Sequence, residues 1–158
     1  MNVKQKMAVI LSISLLLCLG SYLIIKNIFE SIEQQLLDKC RIEAQIGAKS
    51  ISKMMKLMIS ANILREGDLF DTNYVEIPGS IPKRFRTIYD DILDKNIQVY
   101  QDQYLLLDKD LVYSLIVDRN GYAPTHNTTY SQPPSNDIAF NMKYSRSKRK
   151  FDDAVGLK

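Results

Sequence analysis

The sequence predicts an α+β fold in which helix predominates. An uncharged apolar segment at residues 7–25 predicts a transmembrane helix, and a proline-free stretch with helical periodicity continues it as a long amphipathic helix. Further along, a second helix-period stretch precedes the apolar run "LVYSLIV" and the turn "DRNG". This order predicts a second helix followed by a β-hairpin.

The apolar segment at residues 7–25 contains no charged residue, and it lies between Lys4 and Lys6 on one side and Lys26 on the other. About 20 apolar residues cross a hydrocarbon core of roughly 30 Å. A cleaved signal peptide is the alternative, but its shorter apolar core ends at a small-residue cleavage site. No A-x-A pattern follows this segment. We expect an uncleaved single-pass anchor at residues 1–26, with a cytoplasmic amino terminus and everything after Lys26 outside.

The stretch from Asn27 to about Glu66 contains no proline, and its apolar residues recur at steps of three and four. This periodicity predicts a helix. Two interpretations remain open, a helix that covers one face of a domain and a stalk that pairs with a second copy. We expect a homodimer through this helix. Its methionines favour core packing over a metal site, because no Cys or His accompanies them. They are Met54, Met55 and Met58.

Residues 67–82 contain turn signals and predict a loop, after which a second helix is expected from Pro82 or Lys83. A strand is predicted at residues 111–117, a hairpin turn at 118–121 and a short returning strand at 122–125. Residues 138–144 carry no clear structural signal. The apolar face predicted for the second helix comprises Phe85, Ile88, Tyr89, Ile92, Val99, Tyr100 and Tyr104.

Composition and motifs indicate neither an enzyme nor a nucleic-acid-binding protein. The 158 residues carry a formal charge of only +3, so nothing directs the chain to nucleic acid. Cys18 and Cys40 cannot form a disulfide framework. The chain has one histidine, His126, with no Ser or Cys placed as an evident nucleophile. No P-loop, dinucleotide fingerprint or paired metal-ligand spacing occurs. We therefore expect no catalytic residue, no metal and no cofactor.

A cluster of basic residues lies near the carboxyl terminus, directly before Asp152 and Asp153. We expect a solvated basic face here, the alternative being an anion-facing role for Arg149. The cluster consists of Lys143, Arg146, Lys148, Arg149 and Lys150.

Four separated blocks occur in order: "FDTNYVEIPGSIPKRFRTIYDDILDK", "LVYSLIVDRNGYAPTHN", "YSQP" and "SRSKRKFDD". Together they resemble the extracytoplasmic sensor region of bacterial methyl-accepting chemotaxis proteins. The resemblance implies a PAS- or Cache-like fold, in which a long helix packs beside a mixed sheet that holds a small ligand. It covers roughly residues 68–158, and we expect a partial sensor domain at residues 67–158. The anchor (1–26) and long helix (27–66) agree with this layout.

The resemblance also has departures. Pro134-Ser135-Asn136-Asp137 stands where relatives show a Gly-Asp pair, and Ser145 stands where they have Asn. The C-x-x-C-H motif of haem-carrying relatives is absent, which leaves only non-covalent haem binding through His126. The resemblance places Tyr122, His126, Asn127 and Arg149 as candidate ligand contacts. For His126 and Asn127, a hydrogen-bonded structural role remains the alternative.

The function that the resemblance implies is ligand sensing by a receptor of the bacterial cytoplasmic membrane. Ligand binding outside would then pass a conformational signal across the membrane. No second membrane helix, HAMP segment or signalling hairpin occurs before Lys158, so we expect an amino-terminal fragment of such a receptor. Two alternatives remain: a truncated interaction protein that pairs with intact receptors, and the sensor of a histidine kinase or cyclic-dinucleotide enzyme.

Overall fold

The computed structural model describes residues 1–151, and it combines helices with two small antiparallel sheets. The chain divides into two compact units, Met1–Ile46 and Gly47–Lys158. The helices are α1 (Val3–Ser60), α2 (Asp90–Asn96), α3 (Gln98–Leu107) and α4 (Ile138–Tyr144). Short 3-10 helices occupy Glu66–Phe70 and Thr128–Tyr130. The strands are β1 (Val75–Glu76), β2 (Phe85–Arg86), β3 (Tyr122–Ala123) and β4 (Arg149–Lys150).

Helix α1 confirms that the apolar segment continues into a long helix. Among the described residues it is the one helix long and apolar enough to cross a membrane, and its most apolar window is entirely unburied. The helix ends at Ser60, six residues before the predicted end at Glu66. Asn62 has a φ of 55°, and its N–H donates to Ile59 O while the next N–H donates to Met58 O. This pair of bonds is a Schellman cap, whose left-handed position Asn tolerates.

The prediction of one helix from Pro82 or Lys83 was wrong. Phe85 and Arg86 form β2, which pairs with β1, and the helix begins only at Asp90. Asp90 is the first residue of the helix, and its carboxylate accepts bonds from the Thr87 N–H (3.1 Å) and hydroxyl (2.6 Å). The helical stretch is also interrupted at Ile97, and Ile88 and Val99 of the predicted apolar face are exposed.

The strand predicted at residues 111–117 is not formed. The Ser114 N–H donates to the Asn127 side-chain oxygen (2.8 Å) instead of to a neighbouring strand. The turn at residues 118–121 is confirmed, with the Gly121 N–H bonded to Asp118 O (3.0 Å) and Gly121 at a φ of 72°. The returning strand is only Tyr122–Ala123, and it pairs with β4. Residues 138–144, which lacked a signal, form α4, capped by Asp137.

The core lies in the second unit, where the last turns of α1 pack with α2 and β3. The prediction of methionine packing is confirmed, since Met58 is buried and Met54 and Met55 pack against the core. The buried hydrophobic cluster comprises Ile51, Met58, Leu64, Tyr89, Leu93, Ile97 and Tyr122.

The basic cluster is not the solvated face that was predicted. Lys148 is buried, and its ammonium pairs with the Asp94 carboxylate. Arg146, Arg149 and Lys150 are half-buried, which leaves Lys143 as the exposed member. The reason is the β3–β4 pairing, which draws this segment against the interior. Asp152 and Asp153 lie outside the described residues.

Candidate functional site

A groove of about 730 Å³ opens in the second unit along the last turns of α1. Ile51, Met55 and Ile59 of α1 line it, together with Leu93 of α2 and Ile116. Positions 51, 55 and 59 share one helix face because they are four residues apart. The groove therefore has an apolar wall built from the same helix that carries the apolar segment at residues 7–25.

Polar residues are also part of the groove lining. Ser52 and Lys56 come from α1, and Asp118, Arg119 and Asn120 come from the confirmed turn. Small-molecule sites in proteins typically combine apolar walls with a few polar groups that orient the ligand. The groove has this composition.

A paired polar network stabilises the turn beside the groove. The Asp118 carboxylate accepts the backbone N–H groups of Asn120 (2.8 Å) and Tyr122 (2.9 Å), and it also accepts the Tyr74 hydroxyl. The Asn120 amide donates to the Tyr74 oxygen at 2.8 Å. Burial and the bond to Asp118 raise the pKa of Tyr74. The turn is therefore a fixed element of the groove lining.

Tyr122 does not line the groove; it is a core residue. Its hydroxyl donates to the Asp90 carboxylate at 2.8 Å, and the ring lies 5.1 Å from that of Tyr74. Burial raises the pKa of Asp90, while the bonds from Thr87 and Tyr122 oppose that rise. We call Thr87, Asp90 and Tyr122 the Asp90 cluster.

His126 and Asn127 are also fully buried and lie away from the groove lining. The Asn127 side-chain oxygen accepts the Ser114 N–H, and its amide faces Asp102 at 3.4 Å. Asn127 thus holds residues 111–117 and α3 together. Its backbone N–H donates to His126 Nδ1 at 2.8 Å. The opposite ring nitrogen, His126 Nε2, has no hydrogen-bond partner.

Arg149, the fourth predicted site residue, is half-buried in β4. Its guanidinium reaches Met142 O at 3.4 Å and lies 5.4 Å from the Phe151 ring. Burial lowers the pKa of Arg149, and so do the positive charges of Arg146 and Arg84. The structure thus brings Arg149 near other arginines, without placing it in the groove.

Arg146 was named only as part of the basic cluster, yet its charge acts on His126. Burial and the Arg146 charge lower the pKa of His126 to about 4, so the imidazole is neutral at pH 7. The Arg146 guanidinium and the His126 ring both lie against the rings of Tyr113 and Tyr130. We call these four residues the His126–Arg146 cluster. The spacing of residues in the sequence carries no signal for this interaction, because 20 positions separate His126 and Arg146.

Within the described part of the chain, no three His, Cys, Asp or Glu residues are arranged to hold a metal ion. Comparison of the chain with protein-family models, with curated proteins and with solved structures returned no match in any of the three.

Proposed function

We propose that this chain is the sensor portion of a membrane receptor similar to the methyl-accepting chemotaxis proteins. In this proposal α1 anchors the chain in the bacterial cytoplasmic membrane, and the residues after Lys26 lie outside. The observation that supports it most directly is the groove, whose apolar wall belongs to α1. A single helix thus carries both a segment suited to the membrane and one wall of a ligand-sized groove.

The proposed mechanism is a shift between two positions of α1. A ligand that contacts Ile51, Met55 and Ile59 more closely in one position favours that position by its difference in binding free energy. Helix displacements of about 1–2 Å are a known output of such switches. Because α1 is continuous from Val3 to Ser60, a movement of its groove wall is carried along the same helix toward residues 7–25.

Ligand-dependent melting of the full chain in lipid nanodiscs tests this function. A small molecule at about 100 times its Kd stabilises the folded state by ~2.7 kcal/mol, which raises the Tm by several degrees. We expect at least one compound of a broad polar and amphipathic library to produce this rise. We expect the Ser52→Trp variant to lose it, because the indole fills the groove.

Leu57→Trp is the matched control. Leu57 is exposed on α1 and does not line the groove, so its tryptophan leaves the ligand response unchanged. A library without a single stabilising compound contradicts the proposal. So does a compound that stabilises the Ser52→Trp variant as much as the wild type.

A second part of the proposal is pairing of two copies through the helix predicted at Asn27–Glu66. We assign the pairing to its residues 27–46, because Ile51 and Met58 further along are buried in the core. In this segment Ile28, Phe29, Ile32 and Leu36 are exposed and follow helical spacing. Exposed apolar residues at such steps are typical of helices that pair with another helix. The occupant we propose is the same segment of a second copy, as in receptor stalks.

Cys40 provides a direct test of pairing, because it is an exposed free thiol in the middle of this segment. A short bifunctional maleimide should cross-link the full chain in membranes to a dimer. The fraction of chains recovered as dimer should not change when the protein is diluted with lipid. The Cys40→Ser variant, which retains Cys18, controls for cross-linking elsewhere. Only monomer in the wild type, or dimer that disappears on dilution with lipid, would contradict pairing.

A further inference from the structure

One methionine of α1 is accessible from the groove. Met55 belongs to the groove lining, and it is half-buried. Among the described residues that line the groove, it is the one whose side chain carries sulfur. The neighbouring methionines differ from it, because Met58 is only 4% exposed and Met54 is not part of the lining. A small solute that enters the groove therefore meets the Met55 thioether.

The thioether of methionine reacts with peroxides without help from another residue. Its sulfur attacks one oxygen of hydrogen peroxide, so that an S–O bond forms, the O–O bond breaks and the other oxygen leaves as water. The sulfur gives up one electron pair, which the peroxide takes. The product, methionine sulfoxide, is polar, and reductases return it to the thioether. Access of the peroxide to the sulfur is therefore the condition that a position in the groove satisfies.

The apolar surroundings of Met55 do not suit a sulfoxide. Ile51 and Ile59 flank it on the same face of α1 and line the groove with it. A polar oxygen without a donor is costly against such side chains. The lining also contains Lys56 and Arg119, whose charged groups have no hydrogen bond or ion pair among the described residues. An oxidised Met55 should therefore turn from the apolar wall toward these donors.

We propose that Met55 is a reversible oxidation site, at which a peroxide that enters the groove converts the apolar wall of α1 into a polar one. Loss of the thioether from the wall weakens the packing of α1 beside α2, since Leu93 of α2 lines the same groove. An apolar ligand then loses its contact surface, and α1 is released toward its second position. This inference deepens the proposed function, on which its signalling consequence rests, whereas the oxidation itself requires no ligand.

Oxidation of the full chain in lipid nanodiscs by hydrogen peroxide tests the site. Tandem mass spectrometry of peptides taken at successive times assigns the added oxygen to individual methionines. Met142 is 52% exposed and Met58 is 4% exposed, so these two residues mark the fast and the slow limit of the oxidation rate. We expect Met55 to react within roughly threefold of the Met142 rate and at least ~10-fold faster than Met58.

The variants Ser52→Trp and Leu57→Trp show whether the peroxide arrives through the groove. The indole at position 52 fills the groove, so the oxidation of Met55 should slow by ~5-fold or more while that of Met142 stays unchanged. Leu57 is exposed on α1 and does not line the groove, so Leu57→Trp should leave both rates at the wild-type level. Equal Met55 oxidation rates in the two variants would overturn the proposal.

The effect of the sulfoxide on the groove wall is measured as the Tm before and after peroxide treatment. We expect the oxidised wild type to melt ~3 °C or more below the untreated protein, and methionine sulfoxide reductases to restore the original Tm. Met55→Leu cannot be oxidised at this position and keeps an apolar side chain of similar volume, so peroxide should leave its Tm unchanged. Met142→Leu is the matched control, and peroxide should lower its Tm as much as that of the wild type.

Two further results would overturn the assignment of the site: Met55 oxidised no faster than Met58, or a fall in Tm that is equally large in Met55→Leu. An unchanged Tm in wild type whose Met55 is fully oxidised would overturn the effect on the wall. No ligand takes part in these measurements, so an empty ligand screen would contradict the proposed function and leave this test intact. A Met55 that resists peroxide would contradict the inference and leave the ligand screen unaffected.

Discussion

Two buried polar clusters lie in the same unit and differ in how their hydrogen bonds are satisfied. In the Asp90 cluster the carboxylate accepts three donors, from the Thr87 backbone, the Thr87 hydroxyl and Tyr122. In the His126–Arg146 cluster two nitrogen donors have no acceptor. Because an unpaired buried donor is costly, native proteins retain such groups mainly where they serve a ligand or a water. The comparison separates a cluster whose buried donors are paired from one in which two buried donors are not.

The largest effect on the free energy of unfolding should come from removing the carboxylate of the Asp90 cluster. Asp90→Ala leaves the Thr87 N–H and the Thr87 hydroxyl without their acceptor, and it leaves the Tyr122 hydroxyl with only Phe85 O at 3.1 Å. We expect a loss of roughly 3–5 kcal/mol in the free energy of unfolding. Denaturant unfolding of the full chain, followed by tyrosine absorbance, measures this loss.

Asp91→Ala is the matched control, since Asp91 is the neighbouring residue in α2 and its side chain is 79% exposed. Its loss should stay within about 0.5 kcal/mol. Equal losses in the two variants would show that the Asp90 cluster is not a stabilising centre, and the contrast between the two clusters would fail.

A smaller effect on the free energy of unfolding, dependent on pH, should come from the His126–Arg146 cluster. The pKa of His126 is lowered from 6.5 to about 4, so the unfolded chain binds a proton that the folded chain rejects. The contribution of neutral His126 to the free energy of unfolding is therefore fully present above pH 6.5, and it decreases as the pH falls toward 4. We expect the wild type to lose roughly 1–3 kcal/mol more than His126→Gln over this interval.

Unfolding free energies at several pH values between 7 and 4 measure this difference. Parallel curves for the wild type and His126→Gln would mean that the imidazole is solvated in the folded chain.

The elements that were predicted correctly are determined by residues that are adjacent in the sequence. Residues 7–25 are apolar without interruption, so their helix and its suitability for a membrane follow from composition. The turn at residues 118–121 follows from Asn120-Gly121, because glycine adopts a positive φ without steric cost. The bonds from Thr87 to Asp90 are equally local, because three positions separate the two residues.

The errors arose where the partner lies far away in the chain. The β-branched content of residues 111–117 predicted a strand. A strand needs a partner strand, and β3, the expected partner, pairs with Arg149–Lys150 instead. The same pairing turned the expected solvated basic face into a half-buried segment. Ser114 bonds Asn127, 13 positions away, through a side chain that the alternation of residues cannot reveal.

The sequence alone determined a long helix that starts with an apolar segment, a fold that mixes helix and strand, the turn at residues 118–121 and a methionine-lined core. These features follow from residues within a few positions of one another. The predicted β-hairpin around that turn was wrong, because residues 111–117 form no strand. Only the tertiary structure decided that Tyr122 binds Asp90, that His126 and Arg146 lie against the same two tyrosine rings, and that α1 forms a groove wall. Such contacts join distant parts of the chain, and their free energies depend on burial and pairing, which local composition does not encode.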